Sequence, residues 1–233
     1  EAESQALCSV VQTELLGRPF SLALDCHSGF GVTDRLWFPY AHTREPMAHL
    51  AEVHALQHIF LQAHSQHPYV IEPQSAQYLA HGDLWDHLYL QACQQSGTVF
   101  LPLTLEMGSW LWIKKNPQQL FSRNGIFNPL ITHRHQRVLR RHLGLLDFLT
   151  RAAASHSQWL PQGEARQHHH RHALDAWYWA AAGFKDTLLR WKMRLEVVHG
   201  EKKDIQPRVQ VRGGQAGHRT WCSCGSGGQG PGG

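Results

Sequence analysis

The sequence predicts an α/β fold, a layered mixed sheet flanked by helices, and three features predict it. Segments of helical periodicity alternate with short runs of strand character from residue 1 to about residue 155. The strand-like runs are nearly continuous in apolar and small residues, as strands covered on both faces are. Beyond residue 155 the pattern gives way to polar, His-rich and finally Gly-rich sequence. Residues 1–155 are therefore expected to form the domain. Residues 156–233 are expected to be a largely disordered extension, above all after Tyr178.

Taken in order, Ala2 to Leu16 carries Ala6, Val10, Val11, Leu15 and Leu16 at helical spacing and stops at Gly17, a suitable helix C-terminus. Pro19 blocks continuation. Phe20-Ser21-Leu22-Ala23-Leu24-Asp25-Cys26 then alternates apolar with small residues, which is a strand pattern and places His27 at a strand end. The stretch 29–46, rich in Gly, Pro and aromatics, reads as a loop packed by its own Trp37, Phe38 and Tyr40. Met47 to Ala63 has the length and the Ala, Leu, Glu and Gln content of a helix. A second strand is expected near Tyr69 to Ile71, and a short helix over Leu84 to Ala92. Thr98 to Leu105 reads as a buried strand that delivers Glu106 at its end. Gln136 to Ala153 is basic on one side and apolar through Val138, Leu139, Leu143, Leu145, Leu146 and Leu149, so it should pack a helix on the sheet.

Composition narrows the function classes. With 42% apolar residues in 233, a real core is within reach. No apolar run reaches the roughly 18 residues of a membrane span, and Glu1-Ala2-Glu3-Ser4 lacks the basic-then-apolar pattern of a secretory signal. Cys8, Cys26, Cys93, Cys222 and Cys224 are few, odd in number and irregularly spaced, which argues against a disulfide framework and for a cytoplasmic setting. The net charge of +4 is modest. Nineteen histidines are the anomaly, because neutral imidazole is the commonest metal ligand and a common acid or base.

Polar reactive residues at the ends of two strands suit an α/β sheet, whose strand ends open into a crevice. Here the sequence resembles the zinc carboxypeptidases of the M14 type. Asp25-Cys26-His27-Ser28 is similar to that family's strand ending in a zinc-binding histidine. Leu103-Thr104-Leu105-Glu106 is similar to its later strand carrying the catalytic glutamate. Tyr78-Leu79-Ala80-His81-Gly82-Asp83-Leu84-Trp85-Asp86 looks like the mobile loop with a substrate-contacting tyrosine. The resemblance implies a carboxypeptidase-like catalytic domain, present as its C-terminal half. It implies Zn2+ as cofactor with His27 as a ligand, Glu106 as general base and acid, Tyr78 in contact with substrate, and the C-terminus of a peptide as that substrate. Asp25 is expected to shape the strand end, and Trp85 is the nearest candidate for a side-chain pocket.

The family's His-x-x-Glu, which supplies the other two zinc ligands, and its substrate-gripping Asn-Arg pair lie upstream of the histidine strand. Neither precedes His27 here. A catalytic zinc takes three protein ligands and an open position for water, so this chain is expected to be inactive alone.

The remaining motifs are weaker. His49-Leu50-Ala51-Glu52, with His54 and His58, shares a helix face but lies on the wrong side of His27 and reads as a surface helix. Gln167-His168-His169-His170-Arg171-His172 reads as a polar helix face or disordered tract with adventitious metal affinity. Cys222-Ser223-Cys224 lacks zinc-knuckle spacing. Lys202, Lys203, Arg208, Arg212 and Arg219 form a diffuse basic tail without interleaved aromatics, a faint nucleic-acid signal. The expected function is a metallocarboxypeptidase-like hydrolase, with a related zinc N-acyl-amino-acid deacylase as close variant. A non-catalytic interaction module and a basic-tailed nucleic-acid binder stand as alternatives.

Overall fold

The computed structural model describes residues 2–179 apart from positions 30, 68, 124 and 126. The chain opens with α1 (Ala2–Glu14) and β1 (Phe20–Gly29), followed by the short β2 (Arg35–Phe38), α2 (Leu50–Ala63) and β3 (Val70–Pro73). Next come α3 (Leu84–Cys93), β4 (Val99–Gly108) and α4 (Trp110–Lys115). The described part closes with α5 (Thr132–Ala154), α6 (His156–Trp159), α7 (Gly163–Ala173) and a π-helical turn, Leu174–Trp179.

The four strands form an open mixed sheet in the order β1-β4-β2-β3. β1 and β4 are parallel, as are β2 and β3, and the two halves meet antiparallel between β4 and β2. β4 explains its own central place. Phe100, Leu101, Leu103 and Leu105 are all buried, so both faces of this strand need cover.

On one face α2 and α5 bring Val53, Leu56, Phe60, Leu145 and Leu149 against Leu36, Ile71 and Leu103. On the other, α3 lies against β4, with α1 behind it, and Trp85 meets Phe100. That second cover thins towards the C-terminal ends of the strands, where the His27 side chain stays half exposed. Asp34, almost fully buried, ties the end of β4 to α5. It accepts the Gly108 N–H at 2.9 Å and pairs with Arg141. Glycine suits position 108, because a Cβ there would crowd the backbone nitrogen of Thr33 at 3.0 Å.

Three expectations need correction. The stretch 29–46 is not wholly a loop, because Arg35–Phe38 is an inner strand of the sheet and buries Trp37 and Phe38. Four residues between a Gly-rich segment and Pro39 are too few to display a strand period. α5 buries Leu145 and Leu149, but it leaves Leu139, Leu143 and Leu146 exposed. Its apolar face is thus wider than the sheet it covers.

The boundary expected near residue 155 does not divide the body either, since residues 156–179 are helical and packed. Phe20 stacks on His156, and Trp159 donates its indole N–H to the Ala152 carbonyl. Ala173, Leu174, Trp177 and Trp179 join the core. The Cys222-x-Cys224 pair, the basic tail and the Gly-rich end lie outside the described residues. Cys26 and Cys93 carry free thiols. Among the described residues no helix is long and apolar enough to cross a membrane.

Trp177 measures how far the closing segment belongs to the domain. Its ring lies 4.7 Å from that of Phe38, and its N–H donates to the Ile71 carbonyl at 2.8 Å. Trp177→Ala should therefore cost about 3–5 kcal/mol of stability, the usual range for emptying a buried aromatic site. Denaturant unfolding followed by circular dichroism checks this, and a loss below about 1 kcal/mol would mark the segment as loosely attached.

Candidate functional site

β1 and β4 run parallel with Phe20 opposite Val99 and Gly29 opposite Gly108, so His27 sits directly beside Glu106 and Asp25 beside Thr104. Side chains two apart on a strand share a face. Asp25, His27, Thr104 and Glu106 therefore project together from one face of the sheet, at the edge of the cover that α3 provides. β2 continues this face, with Arg35 opposite Glu106 and Trp37 opposite Thr104. His27 and Glu106 both lie within their strands, close to the C-terminal ends.

The three titratable groups form a chain. His27 Nε2 lies 2.8 Å from Asp25 Oδ2, which also accepts the Trp85 indole N–H at 2.9 Å. His27 Nδ1 lies 4.0 Å from Glu106 Oε1. An ionised carboxylate only accepts hydrogen bonds, so Asp25 assigns the imidazole proton to Nε2. The lone pair of a neutral His27 is then on Nδ1, facing Glu106. At 4.0 Å the two do not bond directly, but a group seated beside the line between them can reach both.

The two carboxylates are driven apart in acidity. Burial raises Asp25, but the bonds from Trp85 and His27 outweigh it and hold the carboxyl below its ordinary 3.8. Burial raises Glu106 above 4.5; His27 opposes the rise and Asp25 adds to it. One group is thus a fixed anion, and its neighbour is the one able to exchange a proton. Between them in sequence, the Cys26 thiol points to the opposite face, and burial raises its pKa.

Tyr78 reaches the same face from the side. It is exposed, and its ring meets Trp37 edge-on at 5.8 Å. Trp37 donates to Glu72 Oε1, which also pairs with Arg35 and accepts from Gln77. The structure thus brings His27 and Glu106 together and connects Tyr78 to their face through Trp37. Trp85 serves as a hydrogen-bond donor to Asp25.

Asp25 is more than a strand-end residue, and the Asp-x-His spacing already carries that signal, since it puts both side chains on one face of a strand. Arg35 and Glu72 were beyond sequence reasoning, because they pair across two strands far apart in the chain.

The His49-x-x-Glu52 motif is structural. His49 donates its backbone N–H to the Tyr89 hydroxyl, and its Nδ1 lies 2.9 Å from the same oxygen. Glu52 is buried and paired with Arg166 of α7. Concavities of about 430 and about 270 Å³ lie away from the His27 face. The first is lined by Cys26, Ser28, Leu105 and Met107, whose side chains leave the sheet on the side opposite His27 and Glu106. The His27–Glu106 site is an open face rather than a closed cavity.

A catalytic zinc needs three protein ligands. Here His27 Nδ1 offers one imidazole donor with a carboxylate 4.0 Å away. Among the described residues, no group of three or more His, Cys, Asp or Glu is placed to hold a metal ion. These residues do not by themselves fit a complete zinc centre. Comparison with known protein families, curated proteins and solved structures finds no match.

The raised Glu106 carboxyl has a measurable sign. Between 4.5 and its raised value, the folded protein keeps a proton that the unfolded chain has lost, so stability falls as pH climbs through that window. Glu106→Gln removes this linkage. The variant should gain on the wild type as pH rises from about 4 and level off once Glu106 is ionised in both states. Unfolding midpoints of the two proteins, measured across pH, test this, and a constant difference would show that Glu106 titrates normally.

Proposed function

We propose that this chain carries the C-terminal half of a metallocarboxypeptidase-type active site, which removes C-terminal residues from peptides once an upstream half supplies the remaining ligands. The observation that supports this most is the adjacent pairing of His27 and Glu106 on parallel strands, with Asp25 on the far nitrogen of the imidazole. A metal-ligating histidine commonly donates its other N–H to a carboxylate, which fixes the tautomer and strengthens the ligand. Asp25, itself held by Trp85, is placed for that role.

In this reading His27 is the one zinc ligand the described residues contribute, and zinc when bound supplies a water acidic enough to ionise near neutral pH. Glu106 takes a proton at its carboxylate and returns it to the leaving amine. A pKa raised by burial suits that exchange better than an ordinary carboxylate would. Tyr78, hinged on Trp37 and exposed, contacts the bound peptide. The carboxypeptidase-like sheet would continue beyond β1, which is an edge strand here.

A second reading, a non-catalytic interaction module, draws on the exposed stripe Leu139, Leu143 and Leu146. These residues share one side of α5 and offer apolar surface to a partner.

The test extends the reading frame upstream. A His-x-x-Glu and an Asn-Arg pair in frame, and release of C-terminal residues from peptides by the extended protein but not by this chain alone, are the expected results. In the extended protein Glu106→Gln should lower the rate by about 10²–10⁴, the range for losing a general acid or base. His27→Ala should lower zinc content as well. Activity unchanged by both substitutions would sink the reading.

A further inference from the structure

α7 packs along α2 on the side of the sheet away from His27. One end of their seam is ionic. Arg166 pairs with Glu52 at 2.6 Å and donates to the Ala48 carbonyl at 2.9 Å. The rest of the seam is made of imidazoles. His54 Nδ1 lies 2.8 Å from His169 Nδ1, and the ring of His58 lies 6.0 Å from that of His169. His168 Nε2 lies 3.0 Å from His172 Nε2, and the ring of His54 stacks nearly parallel to that of His172 at 6.2 Å.

Five histidines from segments far apart in the chain thus meet, while the buried carboxylate of Glu52 nearby is committed to Arg166. Neutral imidazole is the form that binds metal.

Within this cluster, the His168–His172 pair brings two imidazole nitrogens together at the surface. The two residues are one helical turn apart on α7, both are exposed, and their Nε2 atoms converge. Two ligands at about 2.0–2.1 Å from a metal, subtending a square-planar to tetrahedral angle, stand about 2.8–3.4 Å apart. The observed 3.0 Å falls inside that interval.

We propose that His168 and His172 chelate one divalent first-row transition-metal ion at the solvent edge of the α2–α7 seam, with water completing its coordination. Imidazole donors favour zinc, nickel or copper over magnesium or calcium. Two ligands one turn apart can be engaged together only while α7 is helical, so the ion stabilises α7 and its contact with α2 by mass action. This site is independent of the proposed carboxypeptidase chemistry and shares no residue with it.

Untagged protein comprising residues 1–233, titrated with zinc chloride and nickel chloride in a calorimeter, tests the proposal. One equivalent should bind more tightly than any other. His168→Gln and His172→Gln should each weaken that equivalent by at least about 10-fold, the lower end of the loss typical for removing an outer-shell partner of a metal site. His81→Gln, an exposed loop substitution outside the seam, should leave it unchanged. Zinc should also raise the unfolding temperature of the wild type but not that of the double variant. No tight equivalent, or one equally sensitive to His81→Gln, would overturn the proposal, because binding would then be absent or adventitious.

Discussion

The parallel pairing of β1 with β4 is the constraint on which the rest depends. β4 is buried on both faces, and its partner is held in register over ten residue pairs. Because side chains alternate between faces, a slip of one residue would send His27 to the side of the sheet that α2 and α5 cover. It would also bring Leu22 and Leu24 out towards α3. The apolar pattern of the two strands therefore fixes the register, and the register places the polar pair. Core packing and site geometry are one specification here.

The electrostatics of the open face follow from that register. Two carboxylates flanking one imidazole, at 2.8 and 4.0 Å, would perturb one another if they stood alone. Trp85 prevents this by donating to Asp25, whose charge is then satisfied from two sides. With Asp25 committed as an anion, the His27 tautomer is fixed and the more buried Glu106 is left as the adjustable member. The helix α3 thus matters twice, first as cover for Phe100 and then as the carrier of the donor that organises the site.

The strands carrying His27 and Glu106 were legible because each is long and apolar enough to display its type, and because each carries near its C-terminal end a polar residue that the pattern does not otherwise explain. α1, α2, α3 and α5 were legible for the same reason, with bounds shifted by a few residues. β2 was not. Its Arg35-Leu36-Trp37-Phe38 is too short to show alternation, and its role comes from neighbours distant in sequence. The pairing of Arg35 with Glu72, and of Asp34 with Arg141, left no trace in composition or spacing. The segment after residue 155 misleads in another way. Its histidines lower its apparent hydrophobicity, while the residues that anchor it, Trp159, Leu174, Trp177 and Trp179, are few and widely spaced.

That anchoring also answers why α2 carries a buried glutamate. Glu52 is only 4% exposed, and an unpaired carboxylate there would cost several kcal/mol in desolvation. Arg166 of α7 supplies the opposite charge and a further bond to the Ala48 carbonyl, so the sequence of α2 presupposes α7. The dependence runs the other way as well. α7 is polar along most of its length, and Ala173 is its only buried residue, so little in its own sequence would hold it as a helix in water. Each helix supplies what the other lacks, a counter-charge in one direction and a packed surface in the other. The sheet, the α2 layer and the closing helices are consequently one structural unit through Trp179.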